Sequence, residues 1–146
     1  MDVDQLREKF LKLNFDEATF HVDADQIVGF SEACGETLPR YRDKSAPDFQ
    51  APPTFVARFH GRRMLPRDLD LEGKIPLDAG KVVMPRKTIR PGATLTGRSY
   101  LNEIYEKTGR SGRMVFLVSR MELRDETGEL ASVVDSRMVV RERPGS

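Results

Sequence analysis

Few residues in this chain are of types that could do acid–base or nucleophilic chemistry. The two histidines, His21 and His60, lie in different segments, and neither stands in a metal-ligand spacing. Asp16 precedes His21 by five residues, but a strand begins between them, so the pair is expected to be incidental. A Gly-x-Ser-x-Gly elbow and a Gly-rich phosphate loop are both absent, and Gly109 and Gly112 belong to a turn. Nucleophilic catalysis would need Cys34 or a serine with a base beside it, and no local sequence supplies one. What remains is Gly35 to Ala46, G-E-T-L-P-R-Y-R-D-K-S-A, which brings a carboxylate, Glu36, and a phenol, Tyr41, into one stretch. Residue chemistry alone announces no active site.

The bulk numbers narrow the classes. A chain of 146 residues fits one domain with a real core, and 38% hydrophobic with 32% charged residues is ordinary globular material. A formal net charge of +1 argues against nucleic-acid or membrane binding by bulk electrostatics, and Arg62-Arg63 and Arg110 to Arg113 read as solvated surface. A lone cysteine allows no intrachain disulfide, and Cys34 is expected as a small apolar helix residue. The acidic start and the lack of a long apolar run predict neither a secretory signal nor a transmembrane span, and hence a cytoplasmic protein.

The elements that must position these residues are legible from periodicity. Val3, Leu6, Phe10 and Leu13 recur at helical spacing, with Asp2 and Gln5 as a capping pair. Ala18 to Val22 suits a strand. Asp23 then caps a helix over Ala24 to Cys34, Gln26 can reach back, and Val22 with Ile27 can staple its entry. Ile27, Phe30, Ser31 and Cys34 form its apolar face, and Gly35 ends it in a left-handed conformation. Glu36 to Pro52 is an ordered loop or lid. Ala51 to Phe59 permits either a helix opened by proline or a strand, with Phe55, Val56 and Phe59 inward.

Arg62 to Asp78 reads as irregular, and strands follow. These are Val82 to Ile89 broken at Pro85, Thr94 to Lys107 with a bulge expected at Gly97, Arg113 to Arg124, and Leu130 to Val140. Helices first and long antiparallel strands afterwards predict an α+β fold whose sheet buries one face.

V-D-A-D-Q-I-V-G-F-S-E-A-C-G-E-T-L-P-R-Y-R-D, then A-P-P-T-F, then I-R-P-G-A-T-L and a long-stranded tail resemble the MaoC-like dehydratase family. The likeness runs over roughly Phe20 to Val140 and is strongest to the N-terminal, non-catalytic hot-dog half of its (R)-specific hydratases and dehydratases. It implies a single hot-dog domain over 1–146, a long curved antiparallel sheet wrapped around a central helix. Catalytic members carry Gly-Asp-x-Asn-Pro-hydrophobic-His-x-Asp, whose Asp and His act on a water and on the proton alpha to a thioester carbonyl. Here Gly35, Pro39 and Asp43 hold their places, while Glu36 replaces the Asp, Leu38 the Asn and Tyr41 the His. A phenol titrating near about 10 is a poor base at neutral pH, where a histidine near about 6.5 is a good one.

The resemblance therefore implies a non-catalytic subunit with Glu36 and Tyr41 as degenerate positions. It shapes the acyl tunnel for a partner that carries the Asp/His site, as a heterodimer or larger assembly, or pairs with itself as a homodimer. Tyr41, Phe49, Pro53, Thr54, Phe55 and Arg58 are the expected substrate-binding residues. No cofactor or metal is expected, the ligand being a CoA or carrier-protein thioester whose phosphates would meet Arg58, Arg62, Arg86 or Lys87. Alternatives are a self-sufficient hydratase or thioesterase using Glu36, and a non-enzymatic acyl-thioester binding module.

Overall fold

Backbone hydrogen bonding sorts the chain into four helical pieces and one sheet. The structure is a computed structural model that describes residues 1–142, so the last four residues of the expected domain lie outside it. In chain order the elements are α1 (Val3–Phe10), β1 (Asn14–His21), α2 (Ala24–Ala33), the short α3 (Pro39–Arg42), a 3-10 turn (Pro53–Arg58), β2 (Leu77–Pro85), β3 (Thr94–Gly109), β4 (Gly112–Arg124) and β5 (Leu130–Glu142). The five strands form one antiparallel sheet in the order β1-β3-β4-β5-β2. The expected α+β layout is thus the one observed.

Local chemistry accounts for the helix ends. Asp2 caps α1 by accepting from the N–H groups of Asp4 and Gln5 at 3.0 and 3.1 Å. Asp23 caps α2 through Asp25 N–H at 2.7 Å, and Val22 and Ile27 bury in one cluster, as a staple requires. Gly35, at φ 71°, closes α2: its N–H reaches the Glu32 carbonyl and the Glu36 N–H reaches that of Ser31. Cys34 departs from expectation. It is the C-cap of α2, where the helix has already turned away from the core, and it is exposed.

Ala51 to Phe59 is neither a full helix nor a strand. Pro52 and Pro53 remove two N–H groups, and the chain makes six residues of 3-10 turn before Phe59 becomes extended. β2 starts earlier than expected and ends at Pro85, which suits an edge strand because no ladder partner needs its missing N–H. The β3 bulge lies between Leu101 and Glu103, whereas Gly97 pairs regularly with Ala18 and Leu123. Glycine is needed there for packing, since a Cβ would stand 2.7 Å from the Met121 sulfur.

One face of the sheet is covered. Along β4, Val115, Leu117, Ser119, Met121 and Leu123 point to it, opposite Val140, Met138, Ser136, Val134 and Ser132 of β5. At one end, Met121, Leu123 and Val134 cluster with Val22, Ile27, Phe55, Val56 and Phe59. At the other, Val115, Leu117 and Val140 cluster with Val3 and Phe10 of α1 and with Leu69. An aromatic run ties the first cluster together: Phe20 stacks on Phe59 at 4.5 Å, and Phe55 meets Phe59 and Phe30 edge-on at 5.5 and 5.6 Å.

Candidate functional site

The Gly35–Ala46 stretch is an ordered loop held by its own side chains. The Glu36 carboxylate turns inward on its own backbone, accepting from the N–H groups of Thr37 at 3.0 Å and Leu38 at 3.2 Å. That arrangement caps the turn into α3, whose first residue is Pro39. Arg42 bridges back, donating to the Glu36 carbonyl at 3.0 Å and to Glu32 at 3.4 Å. Asp43 accepts from the Ser45 hydroxyl at 2.6 Å and from its N–H at 2.9 Å, and those two bonds hold its carboxyl below the ordinary range. Lys44 pairs with Asp25, which ties the loop to α2. Tyr41 is half-buried with the Arg40 guanidinium 6.0 Å above its ring. Glu36 and Tyr41 are not hydrogen-bonded to each other; one oxygen of the Glu36 carboxylate, Oε1, is engaged by the backbone.

The expected substrate residues separate into two groups. Phe49 and Phe55 are buried in the core, and Phe55 is 0% exposed. Pro53, Thr54 and Arg58 are exposed, and the Arg58 guanidinium lies 5.2 Å over the Phe55 ring. Pro53 lines a cleft of ≈ 250 Å³, formed by Gln50–Pro53 against Pro85–Ile89 and the start of β5. A neighbouring cleft of ≈ 260 Å³ shares Lys87, Thr88 and Ile89 and reaches Asp125 and Glu126.

Among the basic residues considered for phosphate, Arg86 and Lys87 border the first cleft. Lys87 is occupied, its ammonium pairing with Asp125 at 2.5 Å and Glu129 at 2.8 Å, which raises its pKa. The same contact, with the Thr127 hydroxyl, holds the Asp125 carboxyl far below the usual range. Arg62 serves through its backbone: its N–H donates to Asp16 at 2.8 Å.

That last bond belongs to a contact the sequence did not reveal. Asp16 on β1 also accepts from Arg63 N–H at 3.4 Å, and Gly61 passes so close that a Cβ would fall on the carboxylate. His21 instead bonds Thr94 at 3.1 Å, so Asp16 and His21 have separate partners. The pairing of distant β1 with the loop after the 3-10 turn leaves no short-range signal beyond the glycine itself.

The covered five-stranded sheet, with its strand order, is a fold shared with known proteins. Residues 10–134 match the model of the FAS1-like, dehydratase domain region. The chain belongs to that family. Its fold is shared with solved MaoC-like hot-dog proteins. The MaoC-like dehydratase from Rhodospirillum rubrum superposes with a TM-score of 0.65 at 21% identity, over 95% of this chain and 97% of that one. A chain of the HadBC 3R-hydroxyacyl-ACP dehydratase complex from Mycobacterium tuberculosis gives 0.63 at 19%, over 88% and 99%. One from the ChsH1-ChsH2 complex of Mycobacterium tuberculosis gives 0.69 at 18%, over 99% and 91%. A search of curated proteins finds no match. The expected hot-dog fold is therefore the one observed, in a chain of the FAS1-like dehydratase domain family.

Proposed function

We propose that this chain is the non-catalytic subunit of a heteromeric (R)-specific enoyl-thioester hydratase or 3-hydroxyacyl-thioester dehydratase. The observation that carries the proposal is the state of Glu36. It occupies the acid–base position of the family motif, yet its carboxylate caps the turn before α3. Tyr41, in place of the histidine, is a half-buried phenol with no carboxylate partner. A water-activating pair needs both groups aimed at one substrate atom, whereas here Glu36 Oε1 is engaged by its own backbone and is not hydrogen-bonded to Tyr41. The chemistry belongs to a partner hot-dog subunit with the complete Asp/His motif. Two solved relatives, HadBC and ChsH1-ChsH2, are themselves complexes of unlike subunits.

The β2 edge suits a shared sheet. Leu77 and Val82 are 50% and 48% exposed on it beside Asp78, Gly80 and Pro85, and Ile75 just before it is 80% exposed, whereas the exposed positions of the other edge, β1, are Asn14, Glu17, Thr19 and His21. An unpaired apolar edge strand is a template for another strand. The cleft between Gln50–Pro53 and Pro85–Ile89 opens beside the end of this strand, where a tunnel shared with a partner would run.

Three assays of enoyl-CoA hydration test the proposal: this chain alone, a hot-dog partner with the complete motif alone, and the two mixed. Activity only on mixing is the expected result, unchanged by Glu36→Gln in this chain. Equal turnover by the partner alone would overturn the assignment, and turnover by this chain alone, lost in Glu36→Gln, would replace it with a self-sufficient enzyme.

A further inference from the structure

The covered face of the sheet is mostly apolar at both ends, where the one serine, Ser132, donates to the Met84 carbonyl at 3.4 Å, and polar across its middle. Ser99 on β3, Ser119 on β4 and Ser136 on β5 form that band: Ser119 lies directly opposite Ser136, and Ser99 opposite Met121, two residues along β4. Ser99 and Ser119 are only 3% and 7% exposed. Above them passes the chain leaving the 3-10 turn, and His60, Arg63 and Met64 close a cavity of ≈ 20 Å³ over the three serines. None of the three hydroxyls is hydrogen-bonded to another described residue, and of the fully buried hydroxyls only that of Ser31 lacks a partner, so these three keep accessible surface on this cavity.

A buried hydroxyl without a partner is costly, whereas a polar cavity of more than about 10–15 Å³ can hold one water if two to four polar groups receive it. Both conditions are met here. We propose that the serine band is a binding site for a single water molecule, held by Ser99, Ser119 and Ser136 from the sheet and closed by His60 from the loop. The water joins the centre of the sheet to the loop over it, while the Asp16 carboxylate holds the same loop from the β1 side through Arg62 and Arg63 N–H. The loop between the two apolar clusters is thereby fastened by polar contacts on two sides.

Ser31 supplies the contrast. It is 0% exposed on α2, and its hydroxyl has no partner among the described residues. It lines none of the clefts described above. Removing a hydroxyl that has no partner is neutral or stabilising, whereas removing one that holds a water forfeits a hydrogen bond.

The same substitution should therefore act with opposite sign at the two places. Urea unfolding of the full chain is measured for Ser31→Ala and Ser119→Ala, alongside a high-resolution crystal structure. Ser119→Ala is expected to lower the folding equilibrium constant by roughly fivefold to tenfold, on the scale of one hydrogen bond. Ser31→Ala should leave that constant unchanged or raise it. Electron density should show an oxygen within hydrogen-bond distance of at least two of the three serines. If both substitutions shift stability in the same direction, or if the density shows the cavity dry, the assignment is overturned.

Discussion

Truncating Phe55 separates a core role from a tunnel role for the segment at the heart of the resemblance. Phe55 stands in A-P-P-T-F and is 0% exposed. Its ring makes edge-on contacts with Phe30 and Phe59, the latter stacking in turn on Phe20 of β1. Phe55→Ala removes a fully buried ring from between α2, the 3-10 turn and the sheet. Such truncations cost about 3–5 kcal/mol, from lost transfer energy plus the residual cavity. The upper half of that range is expected here, because two edge-on aromatic pairs are lost as well, each worth about 0.5–1.5 kcal/mol beyond area burial.

The chain contains no tryptophan, so urea unfolding is followed by far-UV circular dichroism. The midpoint should fall with the slope unchanged, which marks a change of stability and not of the denatured state. A ring lining an open acyl tunnel would already be partly hydrated or loosely packed. A cost below about 1.5 kcal/mol, the scale of a volume-conserving core swap, would refute the core assignment and return Phe55 to the tunnel wall.

Two further predictions concern the polar ties around this core. Gly61→Ala should destabilise by about 1–2 kcal/mol, because a Cβ there displaces the Asp16 carboxylate from the Arg62 and Arg63 N–H groups. In an Asp16→Ala background the same change should cost about 1 kcal/mol less, and additivity in the double-mutant cycle would contradict the clamp. The second concerns acid. Lys87 and Thr127 depress the Asp125 carboxyl, and the amino terminus and Arg113 depress that of Glu142. Depressed folded-state values stabilise the fold above the unfolded carboxylate pKa of about 4, and that contribution disappears as pH falls through the folded values. The Tm should therefore drop below about pH 4, less steeply in Asp125→Asn; a parallel curve for that variant would contradict the pairing.

Much of the fold could be read from local sequence. The Asp23 cap, Gly35 and the Val22/Ile27 pair are short-range features, and each acts in the structure as its chemistry requires. Where the reading departs, a distant contact decides. Gly97 looked like a bulge because a strand glycine has two explanations, close packing or an irregular ladder, and only Met121 on the neighbouring strand distinguishes them. Cys34 fits the helical apolar period, but the period runs one residue past Ala33, where α2 ends, and leaves Cys34 as its exposed C-cap.

The candidate site is legible as a pattern of residue types and not as a geometry. Glu36 and Tyr41 can be matched to motif positions by spacing alone, yet spacing does not say that one oxygen of the Glu36 carboxylate accepts from the N–H groups of Thr37 and Leu38. Phe49 and Phe55 show the same limit from the other side, since an aromatic in a core and one in a tunnel leave the same trace in a sequence. The serine band was harder still. Ser99, Ser119 and Ser136 lie on three strands and come into line only through the pairing register. Each alone is an ordinary small residue in a strand. Their alignment across the sheet turns a set of unremarkable positions into a polar centre on a mostly apolar face.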